Sequence, residues 1–281
     1  MTLSRRPRRA LPSAVATLAA ALAVTAISAP LAGAATGSGS LGGSSGPAAP
    51  ATPLTPPAPV APVEVLTDLT VSADLTCGIR SAADGLSLFA TPEACATLVL
   101  VDDRLFGPAD IGFEAYEPLL QTESGAGTAA DPRVIRTVVG VGAADTGLTL
   151  TQVDRVVDGT VGYWTDITVD NASGEDRGVK VYRAVDCFPE GTDGTGALYG
   201  RSVACVDAAG RRIAFTNLTG GASRQAGFYN DIWAAPIIGI DFDDTAGGDV
   251  LDNGMGLNWS VTVPAGRSVE LRSRFELDQL P

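Results

Sequence analysis

Alternation of apolar and polar side chains recurs along this chain and limits the folds that it can adopt. From Val161 to Val169, every second residue is apolar or Thr, and the intervening residues are mostly polar. A period of two is that of a β-strand with one buried face. A turn-forming Asn-Ala-Ser-Gly sequence follows, and the alternation resumes from Val179 to Val185. We therefore predict a β-hairpin within residues 160–205, with a loop that a disulfide closes.

Short segments of the same kind recur up to the C-terminus. They lie at residues 65–75, 96–101, 134–141, 148–153, 155–157, 213–215, 237–240, 257–263 and 269–277. The last two flank a Pro-Ala-Gly-Arg turn and predict a second hairpin. No period of 3.6 residues extends over twelve positions after the N-terminal segment. About a dozen short strands predict an all-β fold, a single antiparallel β-sandwich over residues 63–281.

The N-terminal segment predicts export. Four arginines precede an Ala/Leu/Val run from Ala10 to Ala29, and small residues end at Ala34, which is the layout of a signal peptide at 1–34. A membrane anchor is the alternative, but polar residues and Pro30 interrupt the run. Residues 35–62 are Gly/Ser-rich and then Pro/Ala-rich, and predict a disordered linker. We expect a secreted, extracellular protein, with the cell surface as an alternative location and the export route open.

The four cysteines agree with export. Cys77 and Cys95 are 18 positions apart, as are Cys187 and Cys205. An even number of cysteines in an exported chain favours disulfides. Three pairings are open, of which we favour the local one because each pair flanks a Gly-containing connection. A four-cysteine metal site is disfavoured, since no Cys-x-x-Cys spacing occurs.

Charge limits the partners. The chain carries 19 basic and 32 acidic residues; without the four arginines of the predicted signal peptide, 15 minus 32 leaves a net charge of −17. Such a chain repels phosphate backbones and anionic lipids, so we expect neither a nucleic-acid partner nor membrane binding after signal cleavage. The single lysine, Lys180, lies on the polar phase of a predicted strand and is expected to be solvated.

The absence of histidine limits the chemistry. The count of His is zero, which removes Ser-His-Asp and Cys-His catalysis and His-ligated metals. Glycoside hydrolysis needs only two carboxylates, for which Asp102, Asp103, Glu114, Glu117 and Asp186 are candidates. Because so many acids are present, a carboxylate pair is a weak signal. No catalytic residue is assigned, and the sequence leans away from an enzyme.

An Asp/Gly-rich segment predicts either a calcium site or a turn. Calcium takes six to eight oxygen ligands, and this segment supplies many carboxylates. The candidate ligands are Asp241, Asp243, Asp244, Asp249 and Asp252. The segment departs from the EF-hand pattern at three positions, and an Asp/Gly-rich turn between strands explains the same residues. No other cofactor is predicted.

Exposed aromatic side chains are the candidates for sugar binding, because their faces stack on pyranose rings. Trp164 falls on the polar phase of its strand and is expected to be exposed. Tyr229 and Trp233 lie in a turn-rich stretch with Asp231. Trp259 shares its phase with apolar residues and is expected in the core. Two alternatives are open for Trp164 and Trp233: either of them forms a binding platform, or they pack under a loop.

Four segments carry a resemblance to a known group of proteins. Residues 98–108, 165–171, 182–187 and 258–266 resemble those of uncharacterised secreted β-sandwich proteins of actinobacteria, over most of 63–277. The strand order is loosely similar to the supersandwich of galactose mutarotase-like proteins. That resemblance implies a supersandwich-like fold. The epimerases of that family use catalytic His, which this chain lacks, so it does not imply epimerase activity.

Together these features favour a secreted, non-catalytic β-sandwich. We expect it to bind an extracellular polysaccharide or cell-wall polymer, or to serve as a structural surface protein. The alternative is a carbohydrate-active enzyme of the glycosidase type that uses two carboxylates.

Overall fold

The structure is a computed structural model that describes residues 65–82, 85, 87–91, 94–188, 194–247, 249 and 252–279. The predicted signal peptide and linker, and the predicted start of the domain at Val63, lie outside the described residues. In the part of the chain that is described, no helix is both long and apolar enough to cross a membrane.

Strands dominate the described chain. In chain order they are β1 (Leu66–Val71), β2 (Cys77–Ser81), β3 (Cys95–Val101), β4 (Arg104–Gly107), β5 (Glu114–Ala115), β6 (Glu117–Ser124), β7 (Arg133–Gly140), β8 (Leu148–Val156), β9 (Gly162–Asn171), β10 (Arg177–Asp186), β11 (Thr195–Tyr199), β12 (Ser202–Val206), β13 (Arg211–Asn217), β14 (Ala222–Phe228), β15 (Thr245–Ala246), β16 (Asn253–Val263) and β17 (Ser268–Gln279). The helices are α1 (Ala143–Thr146), α2 (Tyr229–Ile238) and a 3₁₀ turn at Ala109–Ile111.

Two large sheets form the sandwich. The seven-stranded sheet has the order β15-β14-β16-β10-β3-β4-β5, and the eight-stranded sheet has the order β11-β12-β13-β17-β9-β8-β7-β6. β1 and β2 form a separate two-stranded sheet. All strand pairs are antiparallel except the short edge pairs β4–β5 and β14–β15. The predicted all-β antiparallel sandwich is confirmed.

Both predicted hairpins are wrong. β9 pairs with β8 and β17, whereas β10 pairs with β3 and β16. β16 and β17 likewise belong to different sheets. Each short connection therefore carries the chain across the sandwich, because a turn signal reverses the chain without deciding which sheet receives the next strand. Asn171 ties the two crossings together, since its Nδ2 donates to the carbonyl oxygens of Glu175 at 2.8 Å and Val263 at 2.9 Å.

The main core lies between the two large sheets. Trp259 is 1% exposed, as predicted, and its Nε1 donates to Oδ1 of Asn217 at 3.2 Å. A buried ion pair also crosses this interior: Arg183 on β10 and Asp154 on β8 are each 1% exposed, with Nη1 and Oδ1 3.9 Å apart. Thr165 donates to the same carboxylate, which anchors both charges to the eight-stranded sheet.

A smaller apolar cluster lies on the other face of the seven-stranded sheet, under α2. Its buried members are Ala96, Leu98, Tyr182, Ala184, Ile232, Ala235 and Phe242. Tyr182 and Phe242 meet edge to face, with ring centroids 5.9 Å apart. Residues 237–238, predicted to begin a strand, are instead the last residues of α2. This cluster fixes the helix against the sheet.

Two disulfides connect cysteines that are near in sequence. Cys77 is bonded to Cys95, and Cys187 is bonded to Cys205. This is the local pairing favoured from the spacing. The second disulfide joins the end of β10 to β12, and so connects the two large sheets.

Candidate functional site

Helix α2 positions the aromatic residues of the candidate site. The amide of Tyr229 donates to the carbonyl of Asp252 at 2.9 Å, which fixes the start of the helix. Pro236 cannot donate a backbone hydrogen bond, and Gly239 follows with a positive φ of 73°, so the helix ends there. Ile232, Ala235 and Pro236 are buried against the sheet.

An adjacent side of α2 carries a second row of large side chains, of which Trp233 also packs against the apolar cluster under the helix. Tyr229, Trp233 and Ile237 are spaced four residues apart and therefore share one side of the helix. They form one wall of an open groove, the aromatic groove, of about 290 Å³. The lining residues are Thr91, Ala94, Ile111, Phe113, Asp186, Tyr229, Trp233 and Ile237.

Two of the aromatic rings in the groove stack on each other. Phe113 and Trp233 are nearly parallel, at an interplanar angle of 17° with ring centroids 6.4 Å apart. Both are half-buried, and Ile111 and Ile237 beside them are 42% and 60% exposed. Phe228 packs edge-on against Tyr229 at 5.3 Å. The groove thus offers an apolar surface with a rigid backing, which suits the flat face of a ligand.

Asp186 brings a carboxylate to this apolar groove. It is the last residue of β10 and is half-buried. Alternate residues of a strand share a face, so Asp186 points to the same side as Ala184 and Tyr182, which pack under α2. The disulfide at Cys187 follows directly and fixes the end of this strand.

The structure brings together only part of the predicted aromatic set. Tyr229 and Trp233 line the aromatic groove, whereas Asp231, exposed on α2, is not among its lining residues. Trp164 is 37% exposed, as expected, but it lies on β9 in the other sheet. The guanidinium of Arg274 covers its ring at 5.0 Å from the centroid. Trp164 and Trp233 therefore do not form one platform.

Three of the acids considered for glycoside hydrolysis have other surroundings. Asp102 pairs with Arg177 at 3.2 Å, and Glu114 pairs with Arg104 at 2.5 Å. The hydrogen bond from Arg104 lowers the pKa of Glu114, which opposes a role as a general acid. Asp103 lines a separate depression beside β3. Asp186 is the one carboxylate among the described residues that line the aromatic groove.

Asp241, a predicted calcium ligand, fastens the segment after α2 to the sheet. Its carboxylate accepts hydrogen bonds from Nδ2 of Asn258 at 2.6 Å and from Oγ of Ser260 at 2.5 Å. The side-chain Oδ1 of the same Asn258 accepts from the backbone amide of Phe242 at 2.8 Å. Burial opposes ionisation of Asp241, but bonds from Ser260, Lys180 and Asn258 outweigh it and lower its pKa.

The remaining predicted calcium ligands are all exposed. Asp243 accepts from the amide of Thr245 at 3.2 Å, and Asp244 accepts from the amide of Arg224 at 3.2 Å. Asp249 and Asp252 are exposed. No group of three or more His, Cys, Asp or Glu side chains within the described ranges is arranged to hold a metal ion.

Several residues that line the groove were not predicted from the sequence. Ile111 and Phe113 lie about 120 residues before Trp233 in the chain, and no local pattern joins them. Asp186 was considered only as a catalytic carboxylate. The four-residue spacing of Tyr229, Trp233 and Ile237 is the sequence pattern that could have predicted a helix with these side chains on one side.

Comparisons with known proteins show no family for this chain. No protein-family model and no curated protein matches the chain. A galactose mutarotase-like protein from Clostridium acetobutylicum is 9% identical, with a TM-score of 0.43, over 75% of this chain and 92% of that one. A TPR-domain containing protein from Parabacteroides distasonis is 9% identical, with a TM-score of 0.46, over 76% and 45% of the two chains.

A mutant of heparan sulfate lyase HepC from Pedobacter heparinus is also similar, with 6% identity and a TM-score of 0.44. The match covers 73% of this chain but only 30% of the lyase chain. The resemblance to galactose mutarotase-like proteins is thus found at the level of solved structures and at low identity. Similarity of this degree assigns no function to the chain.

Proposed function

We propose that this domain is a non-catalytic glycan-binding module that works outside the cell, with the aromatic groove as its binding site. The observation that carries the proposal is the juxtaposition of Phe113, Trp233 and Tyr229 with the carboxylate of Asp186 in one open groove. Pyranose rings present C–H faces that pack on aromatic rings, and hydroxyl groups that donate to carboxylates. The groove offers both kinds of contact.

The carboxylate content of the groove favours binding over hydrolysis. Glycosidases place two carboxyl groups about 5–5.5 Å apart or about 6.5–9.5 Å apart across the scissile bond. Among the described lining residues, Asp186 has no second carboxylate opposite it. A single carboxylate can orient a sugar, whereas the two-carboxylate mechanism needs a separate acid and base or nucleophile.

Two features support a location outside the cell. The disulfides Cys77–Cys95 and Cys187–Cys205 are typical of oxidising compartments. The N-terminal 34 residues have the layout of a signal peptide. The ligand is then an extracellular polysaccharide or a cell-wall polymer.

Retention on insoluble polysaccharides and isolated cell walls tests this proposal. We expect the wild-type protein to be retained without release of reducing sugar. Trp233→Ala should weaken retention about tenfold, since loss of a stacked ring costs roughly 1.4 kcal/mol. Trp164→Ala is the matched control, because it removes an exposed Trp from the other sheet, and it should bind like the wild type.

Three outcomes would contradict the proposal. Sugar release that needs Asp186 would favour the carbohydrate-active enzyme. Equal loss of retention in both Trp variants would remove the groove as the site. Failure of the wild-type protein to bind any of the polymers would contradict glycan binding altogether. A parallel incubation with chelator tests the calcium prediction, because the observed contacts of Asp241 and Asp243 lead us to expect unchanged retention.

A further inference from the structure

The charge of the aromatic groove restricts which glycan it can take. Asp186 is the only Asp, Glu, Lys or Arg among the described residues that line it. The chain as a whole is acidic, with a net charge of −13. An anionic sugar would therefore meet the like charge of Asp186 in the groove, and would be repelled by the acidic protein at longer range.

The aromatic rings, like the carboxylate, favour a positively charged ligand. Cations are attracted to the faces of Trp, Tyr and Phe within about 6 Å of the ring centroid. Phe113 and Trp233 stack nearly parallel in the groove and supply two such rings. Tyr229, four residues before Trp233 on the same side of α2, adds a third ring. A positive group in the groove gains from the rings and from Asp186 together.

We propose, on the basis of the glycan-binding function above, that the aromatic groove selects glycans that carry free, protonated amino groups. The sugar ring packs on Trp233 and Phe113, and the ammonium group lies between the rings and the carboxylate of Asp186. N-acetylation removes the charge of this group, and a uronic acid reverses it. The site thus distinguishes amino sugars from their acetylated and acidic counterparts by charge.

Calorimetric titration with matched oligosaccharides tests this selection. The ligands are a glucosamine oligomer, the N-acetylglucosamine oligomer of equal length and an oligogalacturonate, at low ionic strength and below the pKa of the sugar amine. We expect the amino oligomer to bind about five to ten times more tightly than the acetylated one, from a partly exposed ion pair and a cation–π contact. The uronate should not bind.

Two isosteric variants assign the preference to one carboxylate. Asp186→Asn should lower the preference for the amino oligomer, because only the cation–π contact remains, and its retained affinity for the acetylated oligomer shows that the groove is intact. Asp231→Asn is the control, because Asp231 is exposed on the same helix but outside the groove, and it should keep the preference.

The results separate this inference from the proposed function. Equal binding of amino and acetylated oligomers by the wild type, or an unchanged preference in Asp186→Asn, would overturn charge selection and leave glycan binding standing. Absence of binding by every saccharide would overturn both. Tighter binding of the uronate would also overturn charge selection.

Discussion

The Nζ of Lys180 lies 3.2 Å from Oδ1 of Asp241 and donates to the carbonyl of Gly239 at 2.9 Å. The only lysine of the chain thereby joins β10 to the segment that follows α2. Tyr182, on the same strand face, donates its hydroxyl to the carbonyl of Ile240 at 3.0 Å. The wall of the aromatic groove is thus held at its C-terminal end by polar contacts, in addition to the apolar cluster beneath it.

Asp241→Ala should destabilise the protein in a pH-dependent way. The expected loss is about 1–2 kcal/mol at neutral pH, because three donors lose an acceptor that is only partly buried. The pKa of Asp241 is lowered in the folded state, so its contribution is present above the ordinary carboxyl pKa and is lost as the pH falls through the folded pKa.

Urea denaturation at neutral and at acid pH measures this effect. The difference between wild type and Asp241→Ala should shrink at acid pH. Asp249→Ala, at another exposed acid of the same segment, serves as the control and should behave like wild type. A difference that is the same at both pH values would contradict the assigned role of the ionised carboxylate.

Replacing one member of the buried pair Arg183–Asp154 should lower the free energy of unfolding more than replacing both members. Asp154 is 1% exposed, and burial raises its pKa while Arg183 opposes that rise. Arg183→Met or Asp154→Leu alone should destabilise by about 3–5 kcal/mol, because each leaves an uncompensated buried charge. The double variant should be more stable than either single variant.

A double-mutant cycle measured by denaturant unfolding checks this prediction. Additive losses in the two single variants would show that the charges are not coupled across the interior.

Ionisation of buried tyrosines should accompany alkaline unfolding. Burial raises the pKa of Tyr163 to about 12, and it raises the pKa of Tyr116 and Tyr182 as well. A raised phenol pKa favours the folded state below the ordinary value of about 10, and this stabilisation is lost as the pH rises towards the folded value. Stability should therefore fall from about pH 10 upwards.

Phenolate absorbance gives the readout. The native protein should show fewer phenolates than the urea-unfolded protein just above pH 10, and the missing signal should appear together with unfolding. Coincident native and unfolded titration curves would contradict the burial of these three rings.

Gly254 sets how closely α2 approaches β16. A Cβ at this position would lie 2.8 Å from the carbonyl oxygen of Val185, 3.1 Å from Ile232 and 3.2 Å from the Cα of Tyr229. Gly254→Ala should destabilise by about 1–3 kcal/mol, as overpacking does, and displace the start of the helix with Tyr229. Gly178→Ala is the matched control, since its Cβ would meet no atom within 4 Å.

Thermal unfolding and oligosaccharide titration of both glycine variants check this prediction. We expect lower stability and weaker binding in Gly254→Ala alone. Wild-type binding by Gly254→Ala would mean that the position of α2 does not control the groove.

The alternation of residues predicted strand faces but not strand neighbours. It placed Trp164 at the surface and Trp259 in the core, as found, because the orientation of a side chain on a strand depends on local parity. It could not show that β9 and β10 lie in different sheets, since the same turn residues serve hairpins and crossings between sheets. That choice depends on contacts between residues distant in sequence, such as Asn171 with Val263.

Helix α2 was missed for a related reason. Its buried side carries Ile232, Ala235 and Pro236, while its groove side carries Tyr229 and Trp233. With apolar residues on both sides, no period of 3.6 emerges, and Pro236 weakens the helical propensity further. Tyr229 and Trp233 were therefore assigned to a turn-rich stretch, and their neighbour Phe113 could be found only in the structure.

The three tryptophan indole N–H resonances in a proton–nitrogen correlation spectrum report where on the protein a glycan binds. Trp233 lies in the aromatic groove, Trp164 lies on the other sheet and Trp259 is buried, so each reports a different place. Single Trp→Phe variants assign the three signals. Titration with a glycan that the protein retains should shift the Trp233 signal and leave the other two unchanged. A shift of the Trp164 signal alone, or no shift of Trp233 at saturating ligand, would contradict glycan binding in the aromatic groove.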